Sequence, residues 1–309
     1  MKDQHTLPRA LWLLLAALTL FWGLNWPMMK LALAELPPWT FRAACLSFGA
    51  AGLFIIARAQ GLRIRPRERQ WMRLAFASLF NVTGWNLLIA YGVSILPSGR
   101  SAILAYTMPL WTVILSAMFL RERFTRRKFI GVLLGMVALI LLLGPDVSYV
   151  ESAPIGAAFV VGAALSWATG TVIIKRWPID LPTTSFVAWQ LALGGLPVVF
   201  GALFLDWASW QPVSLAATTA LLYNILVATV LCNWAWFRIA TTAPASIAAL
   251  ATMMIPVVGV FSGMLVLGEQ PGWQEYVALL LVTLALATVL LPPRVALPAH
   301  QPGRQKKSA

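Results

Sequence analysis

Ten apolar runs, each about 18 to 25 residues long, divide this sequence and leave little room for another organisation. A helix needs about 20 apolar residues to cross the roughly 30 Å hydrocarbon layer of a membrane. The backbone finds no water to bind inside lipid, so each run is predicted to be an α-helix. The runs cover approximately residues 10–30, 38–58, 72–95, 98–120, 127–144, 154–175, 182–205, 214–237, 243–267 and 273–291.

The composition agrees with ten membrane-spanning helices. Of the 309 residues, 60% are hydrophobic and only 11% are charged, whereas soluble domains carry roughly 25% charged residues. We therefore expect an all-α polytopic membrane protein surrounded by lipid. The net charge of +13 comes from short basic clusters between the runs. Such clusters are typical of membrane loops and do not indicate a nucleic-acid partner.

The start of the chain permits a second interpretation. Lys2 and Arg9 supply a basic start, and Ala32-Leu33-Ala34 resembles the cleavage site of a signal peptide. The first apolar run is long for such a peptide, and it has a counterpart in the second half of the chain. We predict that it stays as the first helix.

Lysine and arginine residues are distributed unevenly between the two sides of the membrane. If the N-terminus lies inside and the chain crosses ten times, 20 of the 23 basic residues fall in inside segments, and only Lys30 and Arg100 fall outside. Basic loops face the cytoplasm, so both termini are predicted to be cytoplasmic. The remaining residue, Arg42, lies within the second run, which contains no acid. We expect its side chain to reach the outer interface near Trp39.

The sequence repeats itself, as many carriers do. A shift of 147 residues superposes Asn86 on Asn233, Pro97 on Pro244, Pro109 on Pro256 and Glu122 on Glu269, and a shift of 145 superposes Trp22 on Trp167 and Lys30 on Lys175. We predict two repeats of five helices, residues 1–146 and 147–309. Because five is odd, the second repeat must be inverted in the membrane. Carriers of this kind bind substrate near the midplane, where the repeats meet.

The stretch FWGLNWPMMK, residues 21–30, ends the first run in an unusual way. Pro27 removes a backbone donor and frees carbonyls near Gly23. Asn25 needs a polar partner in the membrane. Both features are tolerated where a helix faces protein or a water-filled cavity, so this stretch is predicted to line a pathway.

The W-G-x-N-W-P-x-x-K pattern from Trp22 to Lys30 resembles the first-helix motif of EamA-type carriers in the drug/metabolite transporter superfamily. The proline-to-acid segments 109–122 and 256–269 resemble the same family. This resemblance covers nearly the whole chain and is closest to YddG-type exporters of aromatic amino acids. It implies a bacterial inner-membrane carrier whose central cavity is built from the first, third and fourth helices of each half. The second half departs from the motif, with Ala168 and Gly170 in place of Gly23 and Asn25.

Candidate site residues are polar or aromatic side chains within the runs. Ser78, Asn81 and Trp85 share one face of the third helix by their spacing. The deeper tryptophans have ordinary helix packing as an alternative, and the two lysines could either reach the interface or attract a substrate carboxylate. The substrate-binding candidates are Trp22, Asn25, Trp26, Ser78, Asn81, Trp85, Tyr106, Trp167 and Asn224. The gating or structural candidates are Pro27, Pro109, Pro256, Lys30, Lys175, Glu122 and Glu269.

The acidic residues are informative through their positions. All ten fall in tails, loops or run ends, and the two histidines, His5 and His300, fall in the tails. Proton-coupled pumps and exporters of cations use carboxylates within the membrane. Catalysis and metal binding also need clustered titratable groups. We therefore expect no proton relay, metal, cofactor or enzymatic activity.

These observations favour a secondary carrier that exports neutral or zwitterionic metabolites, foremost amino acids including aromatic ones. Aromatic substrates could stack on tryptophan side chains. We expect a small-molecule substrate and a monomer. Alternatives are an exporter of drugs, nucleosides or sugars with the same fold, and a membrane scaffold that transports nothing.

Overall fold

The computed structural model describes residues 9–143, 153–242 and 245–290. These residues form helices and no strand, which confirms the predicted all-α architecture. Each of the ten apolar runs corresponds to one helical segment. The segments are α1 (Arg9–Leu33), α2 (Pro38–Ala59), α3 (71–95), α4 (Ser98–Leu120), α5 (Arg126–Leu143), α6 (Ala153–Arg176), α7 (Thr183–Gly201, continuing through Ala202–Asp206), α8 (215–242), α9 (Ala245–Leu267) and α10 (Trp273–Leu290).

Eight of these segments are long and apolar enough to cross a membrane. The other two are α5, which begins with three basic residues, and α9, in which the stretch Thr252–Leu267 is apolar but shorter. Large apolar side chains such as Leu13, Phe204 and Leu265 are exposed around the bundle, as expected of a surface that lipid covers.

Four segments depart from regular α-helix, and one of them is α7, which ends in the π-helical stretch Ala202–Asp206. α3 contains a π-helical stretch at Leu79–Gly84, and α8 contains one at Tyr223–Leu231. In α4 the helix stops at Ala105 and starts again at Met108, with Pro109 in the first turn of the second part. π-Helical turns are frequent at functional sites, and a shift of 147 residues makes the π-helical stretches of α3 and α8 overlap.

The contacts of the acidic side chains described here fall at the two opposite ends of the bundle. At the end that we call the Glu269 side, Glu269 contacts Ser98, and Arg100 pairs with Glu275 at 3.1 Å. Further contacts at this end join Glu35 to Ser214 and Asp206 to Thr40.

At the other end, which we call the Glu122 side, Glu122 contacts Lys128 and Lys175. Asp180 contacts Arg63 and Arg67 at the same end.

These contacts show that the halves run in opposite directions. Lys30, near the end of α1, donates a hydrogen bond to the carbonyl of Leu96, next to Ser98 on the Glu269 side. Lys175, near the end of α6, lies on the Glu122 side. The first helices of the two halves are therefore antiparallel, as the inverted repeat requires.

The main helix contacts join one half to the other: α2 packs on α7, α5 on α10, α1 on α9, and α3 and α4 on α6. Glycines let helices from the two halves approach closely. A Cβ at Gly131 of α5 would lie 2.3 Å from Oγ1 of Thr288 in α10, and one at Gly49 of α2 would lie 2.4 Å from Cγ2 of Thr229 in α8. Close packing thus surrounds the space between the halves.

Candidate functional site

A cavity of about 500 Å³ lies between the two halves. This volume is within the roughly 300–1,000 Å³ of small-molecule sites. The structure brings eight of the nine predicted substrate-binding residues to its wall. These are Trp22, Asn25, Trp26, Asn81, Trp85, Tyr106, Trp167 and Asn224.

Ser78 is the exception. Its side chain is fully buried, and its hydroxyl donates to the carbonyl of Leu74 at 2.7 Å rather than facing the cavity. The spacing argument assumed a regular α-helix, but the π-helical stretch begins at Leu79, directly after Ser78. The wider turn shifts the face on which Asn81 and Trp85 lie. Ser78 is therefore not among the residues that line the cavity.

Tryptophan side chains form two walls of the cavity. In one wall the rings of Trp22 and Trp236 lie 6.0 Å apart, and Nε1 of Trp22 donates to the carbonyl of Ala228 at 3.0 Å. In the other wall Trp85 and Trp167 meet edge to face at 5.2 Å. Both walls join a helix of the first half to one of the second, so they change if the halves move against each other.

Asn81 connects α3 to the second half. Its Nδ2 donates to the carbonyl of Trp167 at 2.9 Å, and its Oδ1 accepts from Gln190 at 3.5 Å. The side chain fits because Gly170 has none: a Cβ there would lie 2.4 Å from Cγ of Asn81. Gly170 occupies the place of Asn25 in the repeat. The departure from the first-helix motif thus leaves room for an asparagine from another helix.

Two further asparagines on the wall show the repeat symmetry. Nδ2 of Asn86 donates to the carbonyl of Val82 at 2.9 Å, and Nδ2 of Asn233 donates to the carbonyl of Thr229 at 2.6 Å. Each asparagine therefore bonds to the residue four positions earlier, at equivalent places in α3 and α8. Their amide oxygens add polar groups to a largely apolar wall.

The cavity is open towards the Glu122 side. Thr183, at the start of α7, is exposed and lines the cavity, and Ile174 lines it close to Lys175. Towards the Glu269 side the lining residues Met29, Ile89 and Tyr106 are buried, with at most 8% of their surface exposed. A solute could therefore enter from the Glu122 side alone in this conformation.

The Glu269 side is closed by a helix N-terminus. The first part of α4 is buried, so its backbone N–H groups find no water. The Glu269 carboxylate accepts from the backbone N–H of Ser98 at 2.6 Å, from its hydroxyl at 3.0 Å and from the backbone N–H of Gly99 at 3.1 Å. This carboxylate also balances the positive end of the helix dipole.

The equivalent acid, Glu122, has a different environment. It bridges Lys128 at 3.2 Å and Lys175 at 3.3 Å, with 36% of its side chain exposed. Chiefly the hydrogen bond from Lys128 lowers the pKa of the Glu122 carboxyl; Lys175 adds to this effect and partial desolvation opposes it. Neither Lys175 nor Lys30 lines the cavity.

The three prolines occupy different settings. Pro27 lies inside the continuous helix α1, and the carbonyl of Gly23 that it leaves without its usual donor accepts from the Ser262 hydroxyl of α9 at 3.3 Å. Pro109 lies in the first turn of the second part of α4, three residues after Tyr106, which lines the cavity. Pro256 lies within α9, which continues through it.

Arg42 was placed wrongly from the sequence. It is 6% exposed and lines the cavity, with Nε donating to the carbonyl of Asn86 at 3.0 Å and Nη2 lying 2.8 Å from the sulfur of Met29. The argument that singled out Asn81 applied equally to Arg42 and to Gln190, since each is a polar residue within an apolar run. Both were missed as site residues.

No carboxylate is among the described residues that line the cavity. No group of three or more His, Cys, Asp or Glu side chains in the described ranges could hold a metal ion. The wall can offer aromatic surfaces, amide groups and one guanidinium group. It suits a small solute with an apolar side chain and polar ends.

Two antiparallel halves around one cavity define a membrane carrier built from inverted repeats. The sequence model of the EamA-like transporter family matches this chain twice, over residues 9–144 and 154–291. The protein belongs to the EamA-like transporter family, which confirms the resemblance to EamA-type carriers. The narrower resemblance to YddG-type exporters stays a prediction.

Individual relatives of this chain are also named as transporters. The uncharacterised transporter YoaV of Bacillus subtilis is 30% identical over 258 residues, covering 82% of this chain and 87% of YoaV. A probable amino-acid metabolite efflux pump of Salmonella typhimurium is 25% identical over 256 residues, covering 80% of this chain and 84% of the pump. A solved crystal structure superposes with a TM-score of 0.63 at 18% identity, over 91% of this chain and 96% of that one, and supports the fold.

Proposed function

We propose that this protein is a secondary carrier that exports small neutral or zwitterionic metabolites, foremost amino acids including aromatic ones. The observation that carries this proposal is the cavity between the halves. Five tryptophans and five asparagines line it, and no carboxylate does so among its described lining residues. Tryptophan rings suit apolar and aromatic side chains, with each ring contact contributing roughly 0.5–1.5 kcal/mol beyond area burial.

The efflux pump of Salmonella typhimurium among the relatives supports amino-acid metabolites as the substrate class. The lack of an acid on the wall argues against cationic drugs, because such exporters need a counter-ion in the membrane. A cavity of this size also argues against a scaffold without transport, since empty volume destabilises a packed bundle.

We assign the Glu122 side to the cytoplasm, because basic residues concentrate in the loops at that end. The conformation described is then inward-open, and an exporter would load its substrate there. Rocking of the halves would close this side and open the Glu269 side. We place the protein in a bacterial inner membrane, as a monomer with both termini in the cytoplasm and no catalytic activity.

The test is counterflow in liposomes that contain the purified protein. Labelled L-tryptophan, L-leucine, uridine and glucose are each offered to liposomes loaded with the same unlabelled solute. We expect exchange of the amino acids, and we expect it to persist when an ionophore collapses the proton gradient, because no acid lines the cavity. Liposomes without protein are the control. Exchange of uridine or glucose alone would contradict the amino-acid assignment, and flux only with a pH gradient would contradict the coupling.

A further inference from the structure

Arg42 is a buried cation without an acidic partner. It lies in the second turn of α2, and no carboxylate of the described chain forms an ion pair with it. A charged side chain within a membrane protein is costly and normally faces a partner or a pathway. The partner of Arg42 is therefore to be sought in the cavity.

The guanidinium group keeps donors free for a ligand. Of its five N–H donors, one on Nε and one on Nη2 contact the carbonyl of Asn86 and the sulfur of Met29. Sulfur is a weak acceptor. No described group accepts a hydrogen bond from Nη1, and Nη1 is not among the buried atoms that lack a partner. Since Arg42 lines the cavity, Nη1 faces it.

A second unpaired group lies one helical turn away. Asn25 also lines the cavity, and its Oδ1 atom is buried without a hydrogen-bond partner. Asn25 precedes Met29, which contacts Arg42, by four residues of α1, or about 6 Å along the helix axis. A hydrogen-bond acceptor and a cation thus lie close together on one stretch of wall.

We propose that Arg42 binds the carboxylate of the substrate at the closed end of the cavity, and that carriage by this protein requires a carboxylate. This inference rests on the proposed function and narrows its substrate class to carboxylates and zwitterions. The forked guanidinium group matches the two oxygens of a carboxylate. The tryptophan walls receive the side chain of the amino acid.

The charge of the empty site adds to this selectivity. The positive charge of Arg42 is not neutralised by any described residue of the wall, so the empty cavity repels amines and attracts anionic groups. An amino-acid amide or a simple amine keeps the ammonium group but lacks the group that Arg42 binds. Such compounds are excluded by charge even where their side chain fits.

The experiment measures binding to the full-length protein in detergent, as the shift of thermal unfolding with ligand concentration. The ligands are L-tryptophan, L-leucine, their amides, indole-3-acetate and indole. The proteins are the wild type, Arg42→Met, Arg42→Lys and Arg58→Gln. Arg58 lies on the same helix but is exposed near its end, so Arg58→Gln controls for the loss of one positive charge.

For the wild type we expect binding of the acids and not of the amides. Arg42→Met should weaken the binding of L-tryptophan or L-leucine roughly tenfold to a hundredfold, the effect of losing a charge-assisted hydrogen bond. It should leave the binding of indole unchanged, which shows that the cavity is intact. Arg42→Lys should retain part of the affinity, and Arg58→Gln all of it.

Two results would overturn the inference and leave the proposed amino-acid carrier in place. One is binding of the amides as tight as that of the acids. The other is binding of the acids by Arg42→Met within threefold of the wild type. Binding of indole-3-acetate that depends on Arg42, together with no response to either amino acid, would overturn the proposed substrate and keep the carboxylate site. A wild type that binds none of the carboxylates would overturn both.

Discussion

The contact between Glu269 and the start of α4 should set how readily the Glu269 side opens. Its carboxylate makes three hydrogen bonds to Ser98 and Gly99, two of them to buried backbone N–H groups. Glu269→Gln keeps one acceptor oxygen, removes the charge and replaces the second acceptor with a donor. Hydrogen bonds to a charged group contribute roughly 1.5–3 kcal/mol, and a carboxylate at a helix N-terminus contributes about 0.3–1 kcal/mol.

If this contact breaks when the Glu269 side opens, the substitution should favour the open form by about 1.5–3 kcal/mol. That corresponds to a change of roughly 10- to 100-fold in the ratio of the two conformations. A conformation populated at about one per cent would then become easily detectable. Folding should be retained, because Gln can still accept one of the bonds.

Spin-label distances across the Glu269 side provide the measurement. Ser94 in the first half and Gln270 in the second are exposed on that side and suit labelling. The two native cysteines, Cys45 and Cys232, are buried and would be replaced. Glu269→Gln should add a longer distance that the wild type lacks. Glu68→Gln, at an exposed acid near the start of α3, should not. Identical distance distributions in Glu269→Gln and the wild type would refute the reasoning.

Three further predictions concern the wall and the Glu122 side. Trp22→Ala should reduce the flux of tryptophan more than that of alanine in liposomes, because one stacking surface is lost; equal losses would show that Trp22 only packs. Gly170→Ala should lower stability by about 1–3 kcal/mol in thermal unfolding, because its Cβ would lie 2.4 Å from Cγ of Asn81. The matched control is Gly162→Ala, whose Cβ would lie 3.5 Å from its nearest neighbour and which should leave stability unchanged. Since the pKa of Glu122 is lowered in the folded state, its ion pairs should stabilise the protein above the unfolded pKa near 4.5 and lose this effect as the pH falls through the folded value. The difference in the free energy of unfolding between wild type and Glu122→Gln should stay below about 1 kcal/mol at pH 7 and shrink as the pH falls below 4.5; a difference that grows at low pH would contradict this sign.

The helices were predictable because membrane crossing imposes one length and one composition on each of them. The repeat was readable because Asn86, Pro109 and Glu122 recur at a constant shift. Inversion then followed from the odd number of helices. These features depend on local composition and on order along the chain, which a single sequence displays directly.

The face of α3 was predictable only in part. Asn81 and Trp85 line the cavity as expected, whereas Ser78 does not. A π-helical turn inserts an extra residue, and nothing in the sequence of Leu79–Gly84 signals it. Arg42 could not be placed for another reason. Its contacts, Asn86 and Met29, lie on two other helices, so their proximity depends on packing between helices.

The two halves share a scaffold, but the contacts that hold this conformation are not symmetric. Asn86 and Asn233 make equivalent bonds. Glu269, by contrast, binds the N-terminus of α4, while Glu122 is paired with Lys128 and Lys175. The position equivalent to Ser98 is residue 245, where α9 begins. If Glu122 left its lysines to bind that N-terminus while Glu269 released Ser98, the carrier would exchange one helix cap for its symmetric counterpart. Each conformation would then keep one helix N-terminus capped by a glutamate. The halves could therefore rock with a small difference in free energy between the inward-open and outward-open forms.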